Sequence, residues 1–230
     1  PRDVMTLAHE LGHGVHDLLA SSNHLLDYRP VLPLAETAST FAEMLLFDAL
    51  LGELDSDRDR LALLCSKIED TFATVFRQIA MFQFERLAHA ARRERGELTT
   101  ESLNEMWQRT MQEMFGDALV LGEEHASWWL YIPHIVNSPF YVYAYAFGEL
   151  LVLALYARYR RKGQLFVEGY RELLSAGGSR SPAELTAAMG IDITDADFWQ
   201  DGCDLIRERV EEAVCLAARL PDNQLSASSD

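Results

Sequence analysis

The residues best suited to chemistry lie near the N-terminus, where the sequence reads LAHELGHGVHD. His9, Glu10 and His13 form the pattern H-E-x-x-H. On a helix, residues four apart differ by about 40° around the axis, so both imidazoles can bind one cation. Glu10 lies beside them but off the metal axis, where a carboxylate can take a proton from activated water. The pattern predicts a catalytic zinc site. The alternative is two core histidines that flank a surface glutamate.

A catalytic zinc site needs a third protein ligand and an open position. The metzincin pattern fails, because the positions three and six after His13 hold His16 and Leu19. His16 lies two turns from His9, too far for joint ligation on a straight helix. Glu36, in PLAETASTFAE, is the better candidate, because its predicted helix follows a loop that lets the two helices pack together.

A second carboxylate lies on the same predicted helix face as Glu36. Glu43 follows it by seven residues, or two helical turns. One carboxylate can bind the metal while the other accepts a hydrogen bond from a histidine ligand, a partner that metal-bound histidines usually require. The neighbouring side chains, among them Ala38 and Phe41, are small or apolar and favour helix packing over the alternative of a solvated acidic face.

The segment HELGHGVH followed by LAETASTFAE resembles the oligoendopeptidase F branch of the thimet-oligopeptidase-like zinc metallopeptidases. These enzymes are gluzincins, and their extended pattern H-E-x-G-H-x-x-H is matched by Gly12 and His16. The resemblance implies a zinc-dependent endopeptidase that hydrolyses short peptides, with Glu10 as general base. It implies one zinc ion with three protein ligands, His9, His13 and Glu36.

A downstream block, YIPHIVNSPFYVYAYAFGELL, resembles the family segment in which a histidine and tyrosines line the active site. The resemblance implies that His134 positions the substrate or stabilises the oxyanion, and that a tyrosine donates a hydrogen bond to the tetrahedral intermediate. If the chain is helical from Pro139, Tyr141 and Tyr145 share one face and Tyr143 lies on another. We therefore favour Tyr145, then Tyr141. The alternative is a stripe of aromatic core residues.

The elements that must position these residues are predicted to be helices nearly throughout. Apolar residues recur at helical spacing, and only a possible short strand near 118–121 departs from this pattern. The predicted fold class is all-α, a multi-helix catalytic domain in which the H-E-x-x-H helix packs against the helix of Glu36. Residues 1–220 are predicted to form the catalytic portion and 221–230 a polar tail. The main predicted helices are 3–20, 34–51, 56–93 and 139–161.

Composition excludes several function classes. A net charge of −16 over 230 residues argues against nucleic acid and against anionic membrane surfaces as partners. The three cysteines are far apart and form no C-x-x-C pair, which predicts reduced thiols and a cytoplasmic protein. Members of the resembled family are several hundred residues long, so we interpret this chain as a piece whose partner is a preceding helical region. The piece alone can therefore be inactive.

Two other functions are compatible with the sequence. One is a zinc metallocarboxypeptidase that shares H-E-x-x-H, which would leave an end-blocked peptide intact. The other is a non-catalytic helical domain in which a structural zinc has a closed set of four ligands.

Overall fold

Helices and their connecting turns account for the whole described chain. The computed structural model describes residues 2–221 (backbone only at 2, 32 and 33), so the predicted tail at 221–230 lies outside it except for Pro221. Within residues 2–221 there is no β-strand, which confirms the all-α fold class. The strand suggested near 118–121 is wrong, because the side-chain amides of Gln108 and Gln112 donate to the backbone carbonyls of this segment.

The described residues form eleven α-helices, connected by turns and loops. One 3₁₀ segment, Glu123–Tyr131, lies between the sixth and seventh α-helices. The α-helices are α1 (Arg2–Ala20), α2 (Leu32–Ala35), α3 (Thr37–Glu53), α4 (Asp57–Thr74), α5 (Phe76–Arg95), α6 (Thr100–Phe115), α7 (Pro133–Asn137), α8 (Tyr143–Lys162), α9 (Gln164–Ser175), α10 (Pro182–Ala188) and α11 (Ala196–Ala217).

Three predicted helices are interrupted or begin late. Glu36 separates α2 from α3, and Val75, with φ −97° and ψ −68°, separates α4 from α5. The prediction of a helix from Pro139 is wrong, because α8 begins only at Tyr143. Phe140 has a φ of 62°, in the left-handed region, and a right-handed helix cannot continue through it.

The described residues divide into two compact units, one formed by 2–70 and 148–221 and the other by 71–147. The core of the first unit is built on α8, where every residue of Leu151–Tyr156 is at most 3% exposed. This run is part of the most apolar stretch of the sequence. Among the described residues, no helix combines the length and apolar character that crossing a membrane requires.

Helix α3 of the first unit is held by α8 and α11. Tyr156 of α8 donates a 2.6 Å hydrogen bond to Asp48 of α3. Arg209 of α11 is buried, lies over the Phe47 ring at 4.6 Å and pairs with Asp48 at 3.6 Å. These contacts fix the helix that carries Glu43 and that Glu36 directly precedes.

The second unit is centred on α5 and α6. Phe84 and Trp107 pack edge to face with ring centroids 5.3 Å apart. The indole N–H of Trp129 donates to Asn104 at 2.8 Å and so attaches the 3₁₀ segment to α6. The unit also contains α7 and the turn 138–142, which carry the downstream block of candidate site residues.

Candidate metal centre

Helix α1 brings His9 and His13 together on one face. Their Nε2 atoms are 3.2 Å apart, and the two rings meet edge to face with centroids separated by 4.8 Å. Both side chains are partly exposed. Two neutral imidazoles with converging nitrogen lone pairs can bind a single cation, and a spacing of four residues on a helix produces this geometry.

Glu36 supplies a third donor to this pair. Its Oε2 atom lies 3.3 Å from Nε2 of His9 and 3.3 Å from Nε2 of His13. A tetrahedral zinc ion with bonds of about 2.0–2.1 Å separates its ligand atoms by roughly 3.3–3.4 Å. The three atoms therefore form a triangle that fits one face of a zinc tetrahedron. We call His9, His13 and Glu36 the ligand group, since one donor atom from each lies close to the other two.

Glu36 reaches this position because it lies at the break between α2 and α3, whereas the sequence predicted it within one continuous helix. Its backbone has φ −91° and ψ 5°, and its carbonyl accepts the first hydrogen bond of α3 from Thr40. Ser39 donates to the Glu36 carboxylate at 2.8 Å and restricts its rotation. The hydrogen bond from Ser39 to this carboxylate was not predicted from the sequence. The signal that could have revealed it is the spacing of three residues between Ser39 and a candidate ligand.

Close packing of α1 on α3 depends on Gly12. A Cβ atom at this position would lie 2.5 Å from the Cα of Ser39 and 2.6 Å from the carbonyl oxygen of Ala38. Only glycine fits such a helix contact without displacement of backbone. The predicted packing of the H-E-x-x-H helix against the helix of the third candidate ligand is confirmed, and Gly12 is the residue that permits it.

Glu43 holds one of the imidazoles. Its Oε1 atom lies 2.6 Å from Nδ1 of His9. An Nδ1–H that donates to this carboxylate leaves Nε2, which faces Glu36, with a free lone pair. The carboxylate therefore selects the tautomer of His9 that a metal ion requires.

Glu10 and His16 are the other two candidate residues of α1. Glu10 is exposed and follows His9 directly, so it stands beside the ligand group without belonging to it. His16 is buried, and this burial lowers its pKa and favours the neutral ring. The structure places His16 outside the ligand group.

Three residues of the second unit form an aromatic cluster, His134, Tyr141 and Tyr145. The His134 and Tyr141 rings stack at 5.7 Å, and the Tyr145 ring lies 5.4 Å from that of Tyr141. The hydroxyl of Tyr145 is 3.4 Å from Nε2 of His134. Burial and the neighbouring Tyr141 raise the pKa of Tyr145, so its phenol keeps a proton to donate. Tyr143 instead packs against Phe82.

The turn that carries Tyr141 is anchored by a buried carboxylate. Glu85 of α5 is 1% exposed, and its Oε1 atom accepts a 3.0 Å hydrogen bond from the N–H of Phe140. Its other oxygen has no hydrogen-bond partner among the described residues. Burial raises the pKa of Glu85, partly offset by the Phe140 N–H and by the nearby His89 and His134. A buried acceptor of this kind stabilises the left-handed backbone of Phe140.

Comparisons with known proteins show which family the chain resembles. The profile described as Peptidase family M3 matches residues 1–205. The chain is similar to Oligopeptidase PepF of Bacillus subtilis, at 33% identity over 91% of this chain and 31% of that protein. It is similar to an oligoendopeptidase F homolog of Borreliella burgdorferi, at 32% identity over 92% of this chain and 36% of that protein.

The fold is also similar to that of a solved oligoendopeptidase structure. The crystal structure of oligoendopeptidase-F from Enterococcus faecium has a TM-score of 0.84 and 29% identity, over 95% of this chain and 40% of that one. The chain spans about a third of the length of the curated relatives it matches.

Proposed function

The chain belongs to peptidase family M3, and from that premise we propose that it is the catalytic part of a zinc-dependent oligoendopeptidase. The proposed reaction is hydrolysis of internal peptide bonds in short peptides. The observation that carries the proposal is the triangle of Nε2, Nε2 and Oε2 atoms, with sides of 3.2–3.3 Å, in the ligand group. Three protein donors leave a tetrahedral ion one open position, as catalytic zinc sites require.

The proposed chemistry divides between the metal and the chain. When bound, zinc supplies Lewis-acid activation of water and of the scissile carbonyl. Glu10 takes a proton from the attacking water and passes it to the leaving amine, so the C–N bond breaks to give an acid and an amine. His9 keeps its ligating tautomer through Glu43, and Ser39 holds the Glu36 carboxylate.

The roles proposed for the aromatic cluster rest on the family motif and on the contacts within the cluster. His134 and a tyrosine stabilise the oxyanion, and Tyr145 is favoured over Tyr141 because its hydroxyl contacts His134. A donor of this type is typically worth a factor of about 10²–10³ in kcat. The raised pKa of Tyr145 keeps the donor protonated at neutral pH.

The proposed partner is the remainder of a full-length family member. Helix α1 exposes a row of apolar side chains at helical spacing, and an exposed apolar face of this kind is typical of an interaction surface. Its members are Val4, Leu7, Leu11, Val15 and Leu18. Relatives are about three times as long as this chain, and further helices of such a protein can bury this face.

We also propose a cytoplasmic location. The three cysteines, Cys65, Cys203 and Cys215, are free thiols, which is typical of reducing compartments. Fractionation of the source cells tests this, and recovery of the protein in an oxidising compartment would contradict it.

The test of the proposed function uses Glu10→Gln beside the wild-type sequence, in the context of the full-length parent. We expect both to bind one zinc ion, and the variant to lose turnover of an end-blocked peptide by a factor of about 10²–10⁴. Mass spectrometry of the products checks that cleavage is internal. An intact end-blocked peptide with cleavage of a free-ended one would indicate a carboxypeptidase, and zinc without turnover of either would indicate a structural metal.

A further inference from the structure

A buried lysine lies behind the ligand group. The sequence contains two lysines, Lys67 and Lys162. Lys162 is exposed, whereas Lys67 on α4 is only 8% exposed. Burial of a lysine is costly unless its charge is paired, so the position of Lys67 needs an explanation.

Two carboxylates surround the buried ammonium. Nζ of Lys67 is 3.6 Å from Oε2 of Glu43 and 3.7 Å from Oε1 of Glu149. Glu149 on α8 is also buried. The same Glu43 carboxylate contacts Nδ1 of His9 through its other oxygen, at 2.6 Å. The contacts therefore form a continuous chain from α8 through α4 and α3 to a candidate metal ligand on α1.

We propose that Lys67 is a positioning residue for the metal centre, which acts on zinc affinity through Glu43 and His9. The inference rests on the proposed function, because it takes the ligand group to bind zinc. Lys67 touches none of the candidate ligands, and it has no role in the chemistry itself.

The physical argument is electrostatic. Glu43 and Glu149 both contact the Lys67 ammonium, so its removal takes away the cation that lies between these two carboxylates in a mostly buried region. Repulsion then drives the Glu43 carboxylate away from its position. Because Glu43 fixes the ring orientation and tautomer of His9, its displacement weakens a ligand that Lys67 never contacts.

The experiment measures zinc affinity by competition with a chromophoric chelator. Loss of an outer partner of a metal ligand typically lowers metal affinity about 10–100-fold, and Lys67→Met, one contact further away, is expected to lie near 10-fold. Methionine keeps the apolar stem of the side chain. Lys162→Met is the matched control, with no expected change in zinc affinity. Wild-type affinity in Lys67→Met would overturn the proposal.

A double-mutant cycle tests the route of the effect. If Lys67 acts through Glu43, then Lys67→Met adds no further loss, to within about twofold, once Glu43→Gln is present. Additive losses would overturn the proposed route. Lys67→Arg keeps the charge and is expected to restore affinity to within about threefold of wild type, which a mere packing role for the lysine stem would not predict.

Two further outcomes are distinguishable. If the wild-type protein binds no zinc, the proposed function itself fails; if it binds zinc and Lys67→Met binds equally well, only the inference about Lys67 fails. Thermal unfolding of the metal-free proteins checks that the variants fold. If Lys67→Met does not, Lys67→Gln replaces it, with the same expected and contradicting results.

Discussion

The ligand group of the first unit and the aromatic cluster of the second unit are held in place by different means. Two members of the ligand group lie on α1 and the third, Glu36, directly precedes α3, and the close contact at Gly12 fixes α1 against α3. The aromatic cluster spans a five-residue helix, a non-helical turn and the first turn of α8. Its least regular part is Phe140, which has a left-handed backbone and donates its N–H to the buried Glu85.

The difference shows what each kind of support provides. A regular helix and the residue that caps its neighbour bring three donor atoms to distances of 3.2–3.3 Å, close to what a metal ion demands. A turn anchored by a buried carboxylate can place a hydrogen-bond donor and can also be loosened without unfolding the helices around it. We therefore expect substitutions in the first region to act on metal binding and fold together, and those in the second to change turnover or local stability without changing metal binding.

The largest expected difference between the two regions is in the zinc content of His9→Ala and His134→Ala. His9→Ala removes one of the three donors, so stoichiometric zinc and peptidase activity should both be lost. His134→Ala should retain zinc and lower kcat by a factor of about 10²–10³, as for loss of an oxyanion donor.

Metal content by atomic spectrometry and kcat of the parent protein check the two variants side by side. Full zinc in His9→Ala would refute its assignment as a ligand. Loss of zinc in His134→Ala would contradict the expectation that substitutions in the second region leave metal binding unchanged.

The same contrast explains how much could be predicted from the sequence. The helical class and the packing of the H-E-x-x-H helix follow from periodicity, because a regular helix fixes which residues share a face. The turn at 138–142 could not be predicted, because it depends on a hydrogen bond from Phe140 to Glu85, 55 residues earlier in the chain. Lys67 was missed for a similar reason: its partners on α3 and α8 are distant in sequence.

Helix contact in the first region is tested with two glycines of α1. Gly12→Ala places a methyl group against the backbone of Ser39, and overpacking of this kind typically costs about 1–3 kcal/mol. Gly14→Ala is the matched control: a Cβ there meets nothing within 4 Å, and alanine favours an exposed helix over glycine by about 0.8–1 kcal/mol.

We expect Gly12→Ala to lower the unfolding free energy and the zinc affinity together, because separation of α1 from α3 also separates His13 from Glu36. Gly14→Ala should raise stability slightly and leave zinc affinity unchanged. Denaturant unfolding and chelator competition measure the two quantities. Equal behaviour of the two variants would show that the close approach at Gly12 does not hold the site.

The smallest expected effect concerns the anchor of the second region. Burial raises the pKa of Glu85 above its ordinary value. The folded protein therefore holds this proton more tightly than the unfolded chain does. The contribution of the carboxyl to stability is complete below the ordinary pKa and is lost as the pH rises through the raised pKa.

Glu85→Gln keeps an acceptor for the Phe140 N–H but does not titrate. The difference in unfolding temperature between Glu85→Gln and the wild type, measured at the same pH, should therefore shift in favour of the variant as the pH rises from about 4 to 7. Glu94→Gln, on the exposed side of α5, is the reference against which this gain is measured. Glu85→Ala, which lacks the acceptor, should lower kcat while zinc affinity stays at the wild-type value. A pH-independent difference for Glu85→Gln, or loss of zinc in Glu85→Ala, would remove Glu85 as the anchor that distinguishes the two regions.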